Sequence, residues 1–159
     1  MVASRGRIGD WEIDTVHGRG KACLVTVVER KTGLVRIGRI QRATKELTLE
    51  RTVKLLWAER NRVKTITADN GTEFHNYPEL ESILGTRVYF ATPHHAWERG
   101  TNENTNRLLR QYLPKTTDLS GYTQSQLDKI ALRLNRRPRK TLGFQTPASK
   151  LRASVAPTL

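Results

Sequence analysis

Three carboxylates in this chain stand at spacings from which they could meet. Asp14 lies in Trp11-Glu12-Ile13-Asp14-Thr15-Val16, a run that reads as a strand. Asp69 ends a second apolar run, Val63 to Ala68, and opens the turn signal Asp69-Asn70-Gly71. Glu103 follows after a gap of 33 residues, in a stretch from Trp97 to Arg110 that reads as the opening of a helix. Two strand acids and one helix acid can converge as a cage for divalent cations, because hard cations take carboxylate oxygens. Other acids compete for each place. Asp10 and Glu12 share the strand face with Asp14, Glu73 follows Asp69 by one helical turn, and Glu98 sits five residues before Glu103. Residue type alone does not choose among them. On the helix, Glu103, Asn106, Arg107 and Arg110 share one face, with Leu108, Leu109 and Tyr112 opposite. Taken alone, that pattern describes a solvated face with a Glu–Arg pair worth a few tenths of a kcal/mol.

The elements that must position these acids are legible from periodicity. Trp11–Val16, Cys23–Glu29 and Leu34–Ile40 are strand-like and joined by short glycine-bearing turns, which predicts an antiparallel meander. The turn His17-Gly18-Arg19-Gly20-Lys21 lacks the order of a phosphate-binding loop. Leu49, Val53, Leu56 and Trp57 recur at helical spacing, predicting a helix from Thr44, its N-cap, to about Arg60. Val63–Ala68 is a strand, Phe74–Leu84 a short helix, Thr86–Ala91 a strand, and Thr92–Ala96 a loop into the helix of Glu103. Thr123-x-x-Gln126 is a capping box, and Leu127, Ile130, Ala131 and Leu134 make the stripe of the helix it opens. Thr146-Pro147 starts a last short helix. No repeat or linker interrupts the order, so residues 1–159 are expected to form one domain.

Charge narrows the partner. Net charge is +13, and residues 99–159 carry 12 basic and 3 acidic side chains against 16 and 12 in residues 1–98. A basic half of this kind favours a polyanion, since Lys and Arg at phosphates release condensed counterions. No apolar run of membrane-spanning length is present, so nucleic acid is preferred to a membrane. The single Cys23 sits in an apolar strand as a small buried residue and excludes an internal disulfide or Cys-rich zinc site. The four histidines lack zinc-module spacing; His94 and His95 are either loop residues or lining of the site. Met1 to Arg7 is short and polar, which predicts a cytoplasmic protein.

Four motifs occur in order: Gly9-x-Trp11-Glu12-x-Asp14; Thr67-Ala68-Asp69-Asn70-Gly71-x-Glu73-Phe74; Trp97-x-Arg99-Gly100-Thr101-Asn102-Glu103-Asn104-x-Asn106; and Asn135-x-Arg137-Pro138-Arg139-Lys140-x-Leu142-Gly143. Together they resemble the catalytic core of the IS-thirty family of bacterial insertion-sequence transposases, relatives of retroviral integrases, over roughly residues 8–152. The second and third motifs with their spacing are the specific part. Glu98, Arg107 and Ser149 depart from the residues usual in the family at those places.

The resemblance implies an α/β protein of RNase H-like fold, a mixed five-stranded sheet flanked by helices. It further implies a DDE enzyme in which Asp14, Asp69 and Glu103 bind two Mg²⁺ ions, with Mn²⁺ able to substitute. Its chemistry would be strand cleavage by water, then attack of the freed 3′-OH on a target phosphodiester. The implied partners are DNA (transposon ends and target) and further copies of the chain in an active homo-oligomer, at the bacterial nucleoid. Arg107, Arg110 and Lys115, read as continuing the face of Glu103, and the run Arg136, Arg137, Arg139 and Lys140 are the expected DNA-contacting cations; a solvated surface is the plainer reading of that run. The stretch before Gly9 is too short for the helix-turn-helix region of full-length relatives, which suggests an excised core or a truncated element. An RNase H-like nuclease and a non-catalytic DNA-binding remnant are the rival readings.

Overall fold

The computed structural model describes residues 6–69, 71–91 and 100–155. Three strands, β1 (Asp10–His17), β2 (Cys23–Glu29) and β3 (Val35–Ile40), form the expected antiparallel meander. Helix α1 (Lys45–Leu56) then crosses over, and β4 (Thr65–Ala68) joins β1 in parallel on its free side. Helix α2 (Tyr77–Leu84) makes a second crossover to β5 (Arg87–Phe90), again parallel. Parallel neighbours require such crossovers, whereas the meander needs only turns. The sheet order is β3-β2-β1-β4-β5, with α3 (Gly100–Leu109), α4 (Gln124–Asn135) and α5 (Pro147–Val155) following it. This is the mixed five-stranded sheet of an RNase H-like fold.

Alternation along β1 sorts its residues onto two faces. Trp11 and Ile13 join Val25, Val27, Leu56, Ile66, Leu80 and Leu84 in one core, beneath α1 and α2. Val16 joins Leu24, Val28, Ile37, Leu109, Leu127 and Leu134 in the other, beneath α3 and α4. Asp10, Glu12 and Asp14 share the face of Val16, so they lie on the side of the sheet that α3 covers.

Local signals explain where the helices begin and end. The Thr44 side chain accepts from the Leu47 N–H, and Thr123 and Gln126 make the reciprocal capping box. Helix α1 is shorter than the apolar stripe suggests: at Trp57 it tightens into a 3-10 turn, Trp57–Arg62. The change of pitch turns Trp57 out of the core, 48% exposed, with the Arg60 guanidinium 4.4 Å from its ring centre. Helix α2 starts at Tyr77 rather than Phe74, because Pro78 fits the first turn, where its missing N–H has no bond to make. Helix α3 stops at Leu109; Gln111 N and Tyr112 N donate three residues back, to Leu108 O and Leu109 O. Lys115 therefore lies beyond the helix and does not continue the face of Glu103. Gly9 has φ +114°, and a Cβ there would come within 2.5 Å of the Arg62 carbonyl, so glycine lets β1 begin beside the chain entering β4. No helix among the described residues is long and apolar enough to cross a membrane.

Candidate active site and cationic groove

The parallel pairing of β1 and β4 matches Glu12 with Thr67. Two residues further along each segment stand Asp14, within β1, and Asp69, just past the end of β4, at one end of the ladder. Asp14 is half-buried; one carboxylate oxygen accepts the Thr15 N–H at 2.9 Å, and the other accepts the Asn106 side-chain amide at 3.1 Å. Asn106 belongs to α3, so α3 is docked onto β1 by a hydrogen bond to this acid. Glu103 lies one turn earlier on the same helix and is exposed. The α3 side chain bonded to Asp14 is thus Asn106.

Asp69 closes a tight turn, its Oδ1 accepting the Gly71 N–H at 3.0 Å. A Cβ on Gly71 would lie 2.5 Å from Glu73 Oε2 and 3.0 Å from Asp69 Oδ1, so the two carboxylates flank the space above Gly71 from opposite neighbours. Glu73 also accepts a 3.0 Å hydrogen bond from the Thr15 hydroxyl. The competing acids of β1 have structural partners. Asp10 receives Arg7 and the Thr65 hydroxyl; burial pushes its pKa up, but these hydrogen bonds outweigh burial and hold it below its ordinary value. Glu12 is buried against the equally buried Arg30, at 3.5 Å. Glu98, Trp97, Arg99, His94 and His95 lie outside the described residues.

These acids offer the all-oxygen donor set that suits a hard divalent cation. Their spacing is less complete: among the described residues no three His, Cys, Asp or Glu side chains are gathered as a metal-holding cluster. Asp14 stands in β1 and Asp69 just past the neighbouring end of β4, while Glu103 comes from α3.

Beside the outer flank of α3 runs a groove of about 1170 Å³. Arg107 comes from α3; Arg30 and Lys31 from the β2–β3 turn; Arg137, Arg139 and Lys140 from the segment after α4; and Lys150 from α5. No carboxylate lines it among the described residues. The fold therefore collects cations from four separate segments. Arg107, Lys31 and Lys140 are exposed, while Arg139 is partly buried and donates to the Leu134 carbonyl at 3.0 Å. Burial first, and the charge of Arg137 second, push the Arg139 guanidinium below its ordinary pKa.

Of the other cations singled out from sequence, Arg110 donates to the His17 carbonyl at 2.7 Å, tying α3 to the end of β1. Arg136 and Lys115 are exposed and stand outside the groove's lining. Lys31 and Lys150 escaped the sequence reading, since one sits in an ordinary turn and the other in a short helix. The turn that presents Lys31 is built on Glu29, a buried carboxylate accepting the backbone N–H groups of Gly9, Lys31 and Thr32 and the Thr32 hydroxyl.

Comparison with known proteins accords with this architecture. The integrase core domain family matches residues 5–96. The chain is 42% identical to the transposase for insertion sequence element IS4351 of Bacteroides fragilis, over 98% of this chain and 48% of that protein. It is 46% identical to the transposase for element IS1086 of Cupriavidus metallidurans, over 93% and 44%. It is 40% identical to transposase InsI for element IS30A of Escherichia coli K12, over 99% and 41%. The chain thus spans a little under half the length of these relatives. Among solved structures, the catalytic core domain of BIV integrase superposes with a TM-score of 0.68 at 22% identity, covering 92% of this chain and 95% of that one. A family match over more than half of its residues, on a fold shared with an integrase core, makes this chain a member of the integrase core domain family.

Proposed function

We propose that this chain is the catalytic domain of an insertion-sequence transposase, which cleaves DNA strands and joins them to a target with the help of divalent cations. Asp14, Asp69 and Glu103 are the proposed cation ligands, with Mg²⁺ the expected ion and Mn²⁺ a substitute. The observation that carries this reading is the junction of β1, β4 and α3: two acids at one end of a parallel ladder, with α3 bonded to one of them through Asn106. Glu103 shares the helix face of Asn106, three residues on, so the third ligand belongs to the element already docked at Asp14. A pair of divalent cations, when bound, would activate the attacking oxygen and stabilise the leaving oxygen of an in-line displacement. The protein's part is to hold negative oxygen in a fixed place. Asn106 orients the Asp14 carboxylate, and the Asp69 turn does the same for its own. The cations Arg107, Arg137, Arg139 and Lys140 hold DNA phosphates along the groove, without reading base sequence. Arg110, Lys115 and Arg136 fall outside this assignment because none of them lines the groove.

Joining two element ends to one target brings two reacting strands together, and we read the active species as a homo-oligomer assembled on DNA at the nucleoid. Light scattering of the protein with and without duplex DNA tests this.

The test of the chemistry is nicking of labelled duplex DNA in Mg²⁺ or Mn²⁺, followed by assay for strand transfer. Asp14→Asn, Asp69→Asn and Glu103→Gln should each abolish both reactions, with Glu73→Gln retaining them. Loss of activity in Glu73→Gln with survival in Glu103→Gln would move the third ligand to Glu73, which already lies beside Asp69. Nicking without any joining would favour a nuclease of the same fold.

A further inference from the structure

The segment after α4 folds back on itself in a way that costs conformational energy. Arg139 N donates to the Gln145 carbonyl at 2.9 Å, and Phe144 N donates to the Arg139 carbonyl at 2.8 Å, so residues 139–145 form a closed turn. Arg139 anchors that turn to the end of α4 through the Leu134 carbonyl. At its tip, Gly143 has φ 61° and Phe144 has φ 65°. Glycine adopts such a backbone freely; a bulky aromatic rarely does. Among the described residues Phe144 is the one non-glycine with positive φ. It is also the most exposed of the large hydrophobic side chains among the described residues, at 70%. A residue that neither suits its backbone nor buries its ring gains nothing from the fold at this place. Strained positions of this kind concentrate at functional sites.

The surroundings say what the ring would meet. Arg139, Lys140, Leu142 and Gly143, from the same turn, line the cationic groove. None of the groove's described lining residues is aromatic, so the groove offers cations for phosphates but no ring for a base. A second copy of this chain is a poor occupant, because it would bring a net charge of +13 against the same cations. A base is a good one: aromatic rings stack on any base, and cations beside them hold the backbone. The geometry points to Phe144 as a DNA-stacking residue: a strand whose phosphates lie along the groove turns one base out of its stack and onto the Phe144 ring. This rests on the proposed DNA-processing function and adds to it a base contact that is independent of sequence.

The test uses the full chain and a duplex carrying 2-aminopurine next to a nick, with Phe144→Asn, Phe144→Trp and Lys140→Ala as variants. Asparagine tolerates positive φ, so Phe144→Asn should fold with an unchanged or higher Tm while losing the ring. Binding of the parent should raise 2-aminopurine fluorescence, as the base leaves its stack. Phe144→Asn should lose that rise and bind roughly five- to a hundredfold more weakly, the range of one base–aromatic stack. Its dependence on salt should match the parent's, because no phosphate contact is removed, whereas Lys140→Ala should flatten that dependence. Phe144→Trp should restore the affinity, with the fluorescence rise reduced because a stacked indole quenches 2-aminopurine. Equal affinity and fluorescence in Phe144→Asn and the parent would overturn the stacking role while leaving the DNA reading intact. A parent dimer that becomes a monomer in Phe144→Asn would overturn it in favour of self-association. Failure of the parent to bind DNA would overturn the functional reading itself, and the stacking role with it.

Discussion

Replacement of Asn106 tests the contact on which the site is built. Its amide donates to an Asp14 carboxylate oxygen at 3.1 Å in a part-buried setting. A hydrogen bond to a charged group contributes about 1.5–3 kcal/mol, and the length and partial exposure here argue for about 1.5. Asn106→Ala should therefore lower Tm by about 3–6 °C in a domain of this size. Asp14→Asn should cost less. Asn106 Oδ1 is buried without a hydrogen-bond partner, so the amide can turn over and accept from the new side-chain amide, leaving a neutral bond of about 1 kcal/mol in place of a charged one. The Thr15 N–H keeps its oxygen acceptor in that variant. The double variant should then be scarcely less stable than Asn106→Ala, because the bond is already gone. Thermal unfolding of the four proteins in EDTA measures this without contributions from bound cations. Costs that add to within about 0.3 kcal/mol would mean that Asn106 and Asp14 do not interact, and that α3 is held on β1 without this bond. Cleavage should fall in Asn106→Ala by more than stability explains, since ~1 Å of misplacement at a reacting centre can cost about a hundredfold.

The groove makes a prediction about salt. Lys31→Ala, Arg107→Ala and Lys140→Ala should each flatten the slope of log K against log salt by about 0.9 on duplex DNA, while Lys115→Ala and Arg136→Ala leave it unchanged; isotherms at several salt concentrations decide it. Burial, with the charge of Glu73 adding to it, pushes the Cys23 thiol up to about 11, so at pH 8 the folded protein should resist thiol reagents and react only as fast as it unfolds. Rapid native labelling would contradict that burial. Asp10 has a folded pKa below its ordinary 3.8, so the unfolded chain binds its proton first as pH falls. Its contribution is fully present above that value and is lost as pH drops through the lower, folded one. Unfolding free energies between pH 2 and 5 should accordingly show a shallower acid limb in Asp10→Asn, and identical limbs would assign the acid sensitivity elsewhere.

Much of this protein was legible along the chain because its signals are local. Alternation marked β1, β2 and β3, and the Thr123–Gln126 box marked the start of α4. Periodicity says which residues share a face of their own element. It does not say which faces meet, because that depends on how helices pack on both sides of the sheet. Only the tertiary structure shows that Asn106 is the α3 side chain bonded to Asp14, that Arg110 serves the His17 carbonyl, and that Glu12 is buried against Arg30. Trp57 left the core through a change of helical pitch that an apolar stripe cannot register. The groove is the clearest case: Lys31 and Lys150, far apart in the chain, line one concavity with Arg107 because α3 and α5 both pack near the β2–β3 turn. Charge composition favours a polyanion as partner, but the place where the charges gather follows from long-range packing that no local stretch encodes.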